Sequence, residues 1–226
     1  MSRPRITNQQ FNDKVNLLLE NIQNVHNEFA ERDTFNGPSL YFHQQALEAD
    51  DQERKLEMTY AALVAWGMHR MGLRGARMLP FHEFCESMRG LMDRIEELQN
   101  ATTEDIEARW GDIEDIYNGI RVSANATYMV ANSKVMAHYL PKIIAPIDRS
   151  YTLMFLKGNT NYNNDDEYQR ILFKRIHQEL YYPIVNDQRY IDFYDQITLN
   201  EGNPWYSSKM KGVDNLIIGA VLAGIE

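Results

Sequence analysis

The chain has 226 residues, 44% of them apolar, and a net charge of −9. That length supports one large core, and an evenly spread acidic charge argues against wholesale nucleic-acid binding while leaving room for a local basic cleft. A single cysteine, Cys85, excludes an internal disulfide framework and points to a reducing, cytoplasmic setting.

The first residues, MSRPRITNQQFNDKV, carry basic groups but no apolar stretch of the secretory kind. Phe11, Val15, Leu18, Ile22 and Val25 recur at steps of three and four, which predicts one amphipathic helix. Gly37-Pro38 breaks the chain and opens a second. A third is expected from Asp51 to Met71, with Leu56, Tyr60, Leu63 and Gly67 on one stripe and Gly72 as its C-cap. Phe81 to Leu98 reads as a fourth, with Cys85 on its apolar face. Thr103, Asp105 and Glu107 read as the acidic first turn of a fifth.

Asn125 to Leu140 reads as a sixth helix stopped by Pro141, and Asp148 begins a seventh. Asp165 to Leu180 is an eighth, ended by Tyr181-Tyr182-Pro183, with short helices from Tyr190 to Ile197 and from Ser207 onward. KIIAPI (142–147) is the nearest approach to a strand, but Pro141 and Pro146 confine it to an edge. LIIGAVLAGI (216–225) is too short to span a bilayer and reads as a buried terminal helix. The expected fold is all-α, about eight to ten helices in a single domain over 1–226, with 160–226 as a candidate smaller lobe.

Charge is uneven. Glu83 to Asp115 holds eleven acids against three bases, while 59–82 and 116–147 hold no acid at all. A solvated face and two core helices account for this pattern. The sharper reading makes the acid-free stretches the walls of one anion-binding cleft.

The most informative segment is Ser133 to Tyr151, SKVMAHYLPKIIAPIDRSY. Lys134 and His138 are four apart, on one face of the predicted helix. Asp148 follows an extended X-Pro segment, a natural N-cap position. The plainer account is a helix joint: His138 caps one helix, Asp148 the next, and Lys134 is solvated. The functional account makes Lys134 a nucleophile or phosphate binder beside the Asp148 carboxylate. A second constellation is Trp66-Gly67-Met68-His69-Arg70, where Arg70 can stack on Trp66. Its plainer account is a core tryptophan with arginines paired to the acidic helix that follows. Candidate ligand-binding residues are Trp66, His69, Arg70, Ser133, His138, Arg149 and Tyr151. His43 can meet His69 or His138 across helices. No two histidines have metal-binding spacing, so neither a metal nor a cofactor is expected. Lys209 and Lys211 read as surface charges, with an extension of an anion cleft as the alternative.

Two resemblances attach to these residues. WGMHRMG, GPSLYFHQQAL and SKxxAHxxPxxxxPIDRxYT resemble a group of bacterial and archaeal proteins, which implies a shared fold and site but supplies no activity. Lys134 followed by PIDRSY resembles the helix-hairpin-helix DNA glycosylase superfamily, in which a lysine and a helix-capping Asp carry the chemistry. That resemblance implies Lys134 and Asp148 as catalytic residues. The chain departs from the family in having TYMVANS, without glycine, before the lysine, a shorter lysine-to-Asp interval, and no cysteine cluster. Three function classes follow: a binder of a small anionic ligand or nucleic acid with no membrane partner, a glycosylase/lyase, or a scaffold without a site.

Overall fold

The computed structural model describes residues 6–32, 37–69, 77–125, 127–161, 163–200 and 202–225. The fold is all-α. Among the described residues twelve continuous helices are present, more than the eight to ten expected, and no strand occurs. None of these helices is long and apolar enough to cross a membrane.

The extra helices come from breaks that periodicity passes over. The first predicted helix is two, α1 (Asn8–Glu20) and α2 (Ile22–Ala30). Between them the Asn21 side chain donates to the Leu17 carbonyl at 2.8 Å, taking an acceptor the helix would use. Then come α3 (Pro38–Glu48), entered through Pro38, and α4 (Gln52–Leu63), capped by Asp51. α4 runs into a π-helical turn at Val64–Met68 and stops at Gly67, whose φ of 77° lies in the left-handed region. Gly67 thus ends this helix, and the expected cap at Gly72 lies outside the described residues. The predicted fourth helix splits at Gly90 into α5 (Phe81–Arg89) and α6 (Met92–Leu98). The predicted acidic start at Thr103 is instead a run of turns in which Thr102 donates to Asp105, and α7 begins later (Trp110–Gly119).

α8 (Tyr128–Tyr139) is the central helix: every residue from Met129 to Tyr139 is buried. Next are a π-helical turn at Arg149–Leu153 capped by Asp148, α9 (Met154–Lys157), and α10 (Asp166–Ile176). α10 does not stop at Pro183. It widens into a π-helical turn at His177–Tyr181 and continues as α11 (Tyr182–Val185), with Pro183 in the first turn of that piece, where a missing N–H costs least. α12 (Gln188–Asn200) and α13 (Lys209–Leu222) complete the chain. α13 is buried from Met210 to Ala220 and packs along α2. The approach is close because residue 219 is glycine: a Cβ there would stand 1.9 Å from the Val25 carbonyl oxygen.

The segment Ile143–Ile147, between α8 and the Asp148 cap, is not an edge strand. It is irregular, and all of it is buried. Buried backbone must find partners, and here side chains supply them. The Ala145 N–H donates to His177 Nε2 at 3.1 Å, and the Ile147 N–H to Ser133 Oγ at 3.0 Å. Tyr182 Oη donates to the Ile143 carbonyl at 3.0 Å, and Tyr181 Oη to the Pro146 carbonyl at 3.2 Å. α8 and the α10–α11 rod thus hold this stretch from two sides, and its exit delivers Asp148 back to α8.

Two stability predictions follow from these contacts. Gly219→Ala forces α13 off α2, since the obstruction is backbone, and should cost about 1–3 kcal/mol or more. Ser133→Ala orphans the Ile147 N–H and should cost about 1–3 kcal/mol. Urea unfolding monitored by circular dichroism measures both, and a wild-type midpoint in either variant would contradict the packing described.

Candidate functional site

The site is a pocket of about 330 Å³ where α2, α3, α8, α13 and two of the three described π-helical turns meet. Such turns break the regular helix ladder and recur at functional sites. Here one presents Trp66 and the other Tyr151.

Lys134 and Asp148 meet directly. Lys134 Nζ donates to Asp148 Oδ2 at 2.7 Å, and the lysine is buried while the carboxylate keeps some exposure. Asp148 also accepts the Ser150 N–H at 2.7 Å, as the helix cap the sequence predicts. Burial alone would raise the Asp148 pKa. Lys134, the Ser150 N–H and Arg149 outweigh it and hold the carboxyl below its ordinary value. Lys134 Nζ also lies 5.9 Å from the Trp66 ring centre, the place foreseen for Arg70. The plainer sequence account, with Lys134 solvated, is corrected: the helix turns this side chain inward against the returning Asp148.

A second pair faces the same pocket, and its carboxylate, Asp214, was missed. Lys211, read from sequence as a surface charge, is buried on α13; its Nζ donates to Asp214 Oδ2 at 2.7 Å and to Asn215 Oδ1. Burial raises the Asp214 pKa and Lys211 only partly offsets it. The signal was present in the sequence. KMKGVDNLIIGAVL is a buried helix, and polar groups at i, i+3 and i+4 within it must satisfy one another. The pocket therefore holds two cations and two carboxylates and is formally neutral.

Behind the pocket, two histidines lie between two tryptophans. The His43 ring stacks on Trp205 with centroids 5.7 Å apart, and both His43 and His138 lean on Trp66. His43 Nδ1 and His138 Nε2 are 3.0 Å apart. Their proton arrangement follows from their neighbours. The Lys134 carbonyl can only accept, so His138 Nδ1, 2.8 Å away, carries a proton. Burial pushes His138 down to about 4, so the ring is neutral and its Nε2 accepts. His43 Nδ1 must then donate to it, and His43 Nε2 accepts from Ser207 Oγ at 2.9 Å. Burial, reinforced by His138 and Lys211, lowers His43 to about 2.

The other candidates divide. Trp66, Lys134, Asp148 and Tyr151 line the pocket. Ser133 does not: it is fully buried, bound to the Val130 carbonyl and the Ile147 N–H, and its role is structural. His138 is buried behind Trp66. His69 is exposed, accepts the Met78 N–H at 3.4 Å and does not join His43. Arg149 is exposed, and its Nε donates to the Thr160 carbonyl. Neither His69 nor Arg149 lines the pocket. Arg70 lies outside the described residues. Cys85 is buried, and burial pushes its thiol up, away from nucleophilic chemistry. No cluster of three or more metal-ligating side chains occurs among the described residues.

No family model, no curated protein and no solved structure matches the chain.

Three buried rings set a pH response. His43, His138 and His177 have folded pKa values below the ordinary 6.5: His177 is near 4, again through burial. The unfolded chain protonates them first, so their neutral burial is fully favourable above about 6.5, and stability falls as pH drops toward 4. Lys211 faces His43, and Lys55 and Lys211 face His138; these cations add to the shift. Each ring should contribute a slope of about 1.4 kcal/mol per pH unit in that window. A urea midpoint that does not fall between about pH 7.5 and about pH 5 would show that the rings are not buried and neutral.

Proposed function

We propose that this protein binds a flat heteroaromatic ring of the nucleobase class in the pocket lined by Trp66 and Trp205, and that Lys134 with Asp148 cleaves the bond joining that ring to its sugar. The observation that carries this is the direct Lys134–Asp148 pair opening on an aromatic-walled pocket. The volume is at the low end for small-molecule sites, which suits one ring system better than a folded strand. The pocket's neutrality argues against a bare anion as the ligand: each lysine already has its carboxylate. The lysine-then-Asp order that resembles helix-hairpin-helix glycosylases supports the same reading.

The chemistry needs a neutral amine. A ring seated against Trp66 excludes water from the pair, and a less polar surrounding disfavours both charges. Asp148 then takes one proton from Lys134. The freed Nζ attacks the anomeric carbon, the glycosidic C–N bond breaks with its electron pair going to the ring nitrogen, and that nitrogen receives the proton held by Asp148. Asp148, again a carboxylate, then takes a second proton from Nζ and passes it to the sugar ring oxygen as the C1′–O bond breaks with its electron pair going to that oxygen, which leaves an iminium on Lys134.

Borohydride reduces such an iminium to a stable secondary amine. The wild-type chain should form a covalent adduct with an oligonucleotide bearing an abasic aldehyde site. Lys134→Ala and Lys134→Arg should abolish it. Asp148→Asn should slow ring release from an intact substrate by about 10²–10⁴-fold. A wild-type chain that traps no abasic site, or adduct undiminished in both lysine variants, would sink the proposal.

A further inference from the structure

The pocket is graded in depth. Trp66, Asp148 and Tyr151 keep partial exposure and form its mouth, while Lys211 and Asp214 are buried and form its floor. A ring whose sugar bond lies at Lys134 and Asp148 turns its far edge to that floor. Asp214 has bonding capacity to spare there. Its Oδ2 accepts from Lys211 at 2.7 Å, but its Oδ1 accepts nothing among the described residues and is not sealed from solvent. Asn215 does not serve it: that amide donates to the Trp205 carbonyl and accepts from Lys211. Three other pocket-lining groups register the Asp214 charge. Burial raises the Tyr151 hydroxyl, and Asp148 and Asp214 add to the rise. Asp214 is itself raised by burial, lowered by Lys211, raised further by Asp148 and lowered by Lys134. Groups that act on one another and line one pocket place the Asp214 carboxylate on its pocket side, opposite the Lys134–Asp148 wall.

We infer that Asp214 accepts a hydrogen bond through Oδ1 from the far edge of the bound ring, and so selects nucleobases that present an N–H there over rings that present none. This rests on the ring-binding reading above. An ionised carboxylate only accepts, so an edge N–H is the group that matches it. Hydrogen bonds to a charged acceptor are the stronger kind, and an unmatched charged group that a ligand seals from water is costly. A bare ring nitrogen brings lone pair against lone pair, and a methylated amine brings apolar surface. Sites built to hydrogen-bond a particular group reject analogues lacking it far more strongly than apolar pockets reject a methyl.

Calorimetric titration of the full chain with a graded set of nucleosides tests this. Deoxyadenosine should bind at least about tenfold more tightly than purine deoxyriboside, which has no edge N–H, and than deoxyadenosine with two methyls on its amine. The singly methylated amine keeps one N–H while adding bulk, and should stay within about threefold of deoxyadenosine. In Asp214→Asn the amide oxygen remains on Lys211 and the amide N–H turns to the pocket. That variant should bring deoxyadenosine and purine deoxyriboside within about threefold of each other by weakening deoxyadenosine. A preference below tenfold in wild type overturns the inference with ring binding intact. So does a singly methylated amine that binds as weakly as the doubly methylated one, since bulk would then decide. A preference undiminished in folded Asp214→Asn also overturns it; if that variant does not fold, the wild-type series decides alone. If no nucleoside binds, this inference and the ring-binding reading fall together. An N–H preference without any borohydride adduct supports the inference and removes only the Lys134 chemistry.

Discussion

The structure depends on keeping a non-helical stretch of backbone in the middle of a helical core. Ile143 to Ile147 has no helix or sheet ladder to absorb its N–H and carbonyl groups, and it is buried away from the surface. Ser133 and His177 accept from it, while Tyr181 and Tyr182 donate to it. That arrangement explains why a serine in the most buried helix and a histidine in a π-helical turn are where they are. It also explains how residues far apart on a helical ladder are brought together. The stretch leaves α8 after Tyr139, doubles back, and sets Asp148 beside Lys134.

The pocket inherits its rigidity from that return. One wall, Lys134 with Asp148, is anchored in α8 and the returning segment; the other, Lys211 with Asp214, is anchored in α13. Between them the neutral His43–His138 pair sets the two tryptophans at a fixed separation without adding charge. Two ion pairs in so small a volume would be costly if either partner were left alone. Each is closed on itself, so the pocket is polar in its parts and neutral as a whole.

How much of this was legible in the sequence differs by residue. Helical periodicity placed the principal helices because each has one buried face. The breaks at Asn21 and Gly90 were passed over because the apolar spacing continues across them. The Asp148 cap and the burial of 216–220 were readable from local chemistry alone, whereas 221–225, expected to be buried with them, is partly exposed. The pocket was readable only in half. Lys134, Asp148, Trp66 and Tyr151 stand in dense, unusual segments that draw notice. Trp205 stands among ordinary neighbours, and its burial is a long-range event that no local pattern records, whereas Lys211, Asp214 and Asn215 carried a local signal as three polar groups at i, i+3 and i+4 in an apolar helix. His43 meeting His138 is of the same kind. Ser133, His69 and Arg149 show the converse: sequence proximity to a site residue does not make a site residue when the backbone turns between them.

The close approach at Gly219 has a consequence in time as well as in space. Trp66, Lys134 and Asp148 belong to the first two-thirds of the chain, but Trp205, Lys211 and Asp214 arrive with α13, and α13 docks only by fitting a bare backbone against Val25 of α2. The contact joins segments nearly two hundred positions apart, as does His26 Nδ1 with Tyr206 Oη at 2.7 Å. Such closures are slow relative to local helix formation. Trp205, Lys211 and Asp214 stand in the pocket only because α13 lies against α2, so its second wall depends on a contact between nearly opposite ends of the described chain.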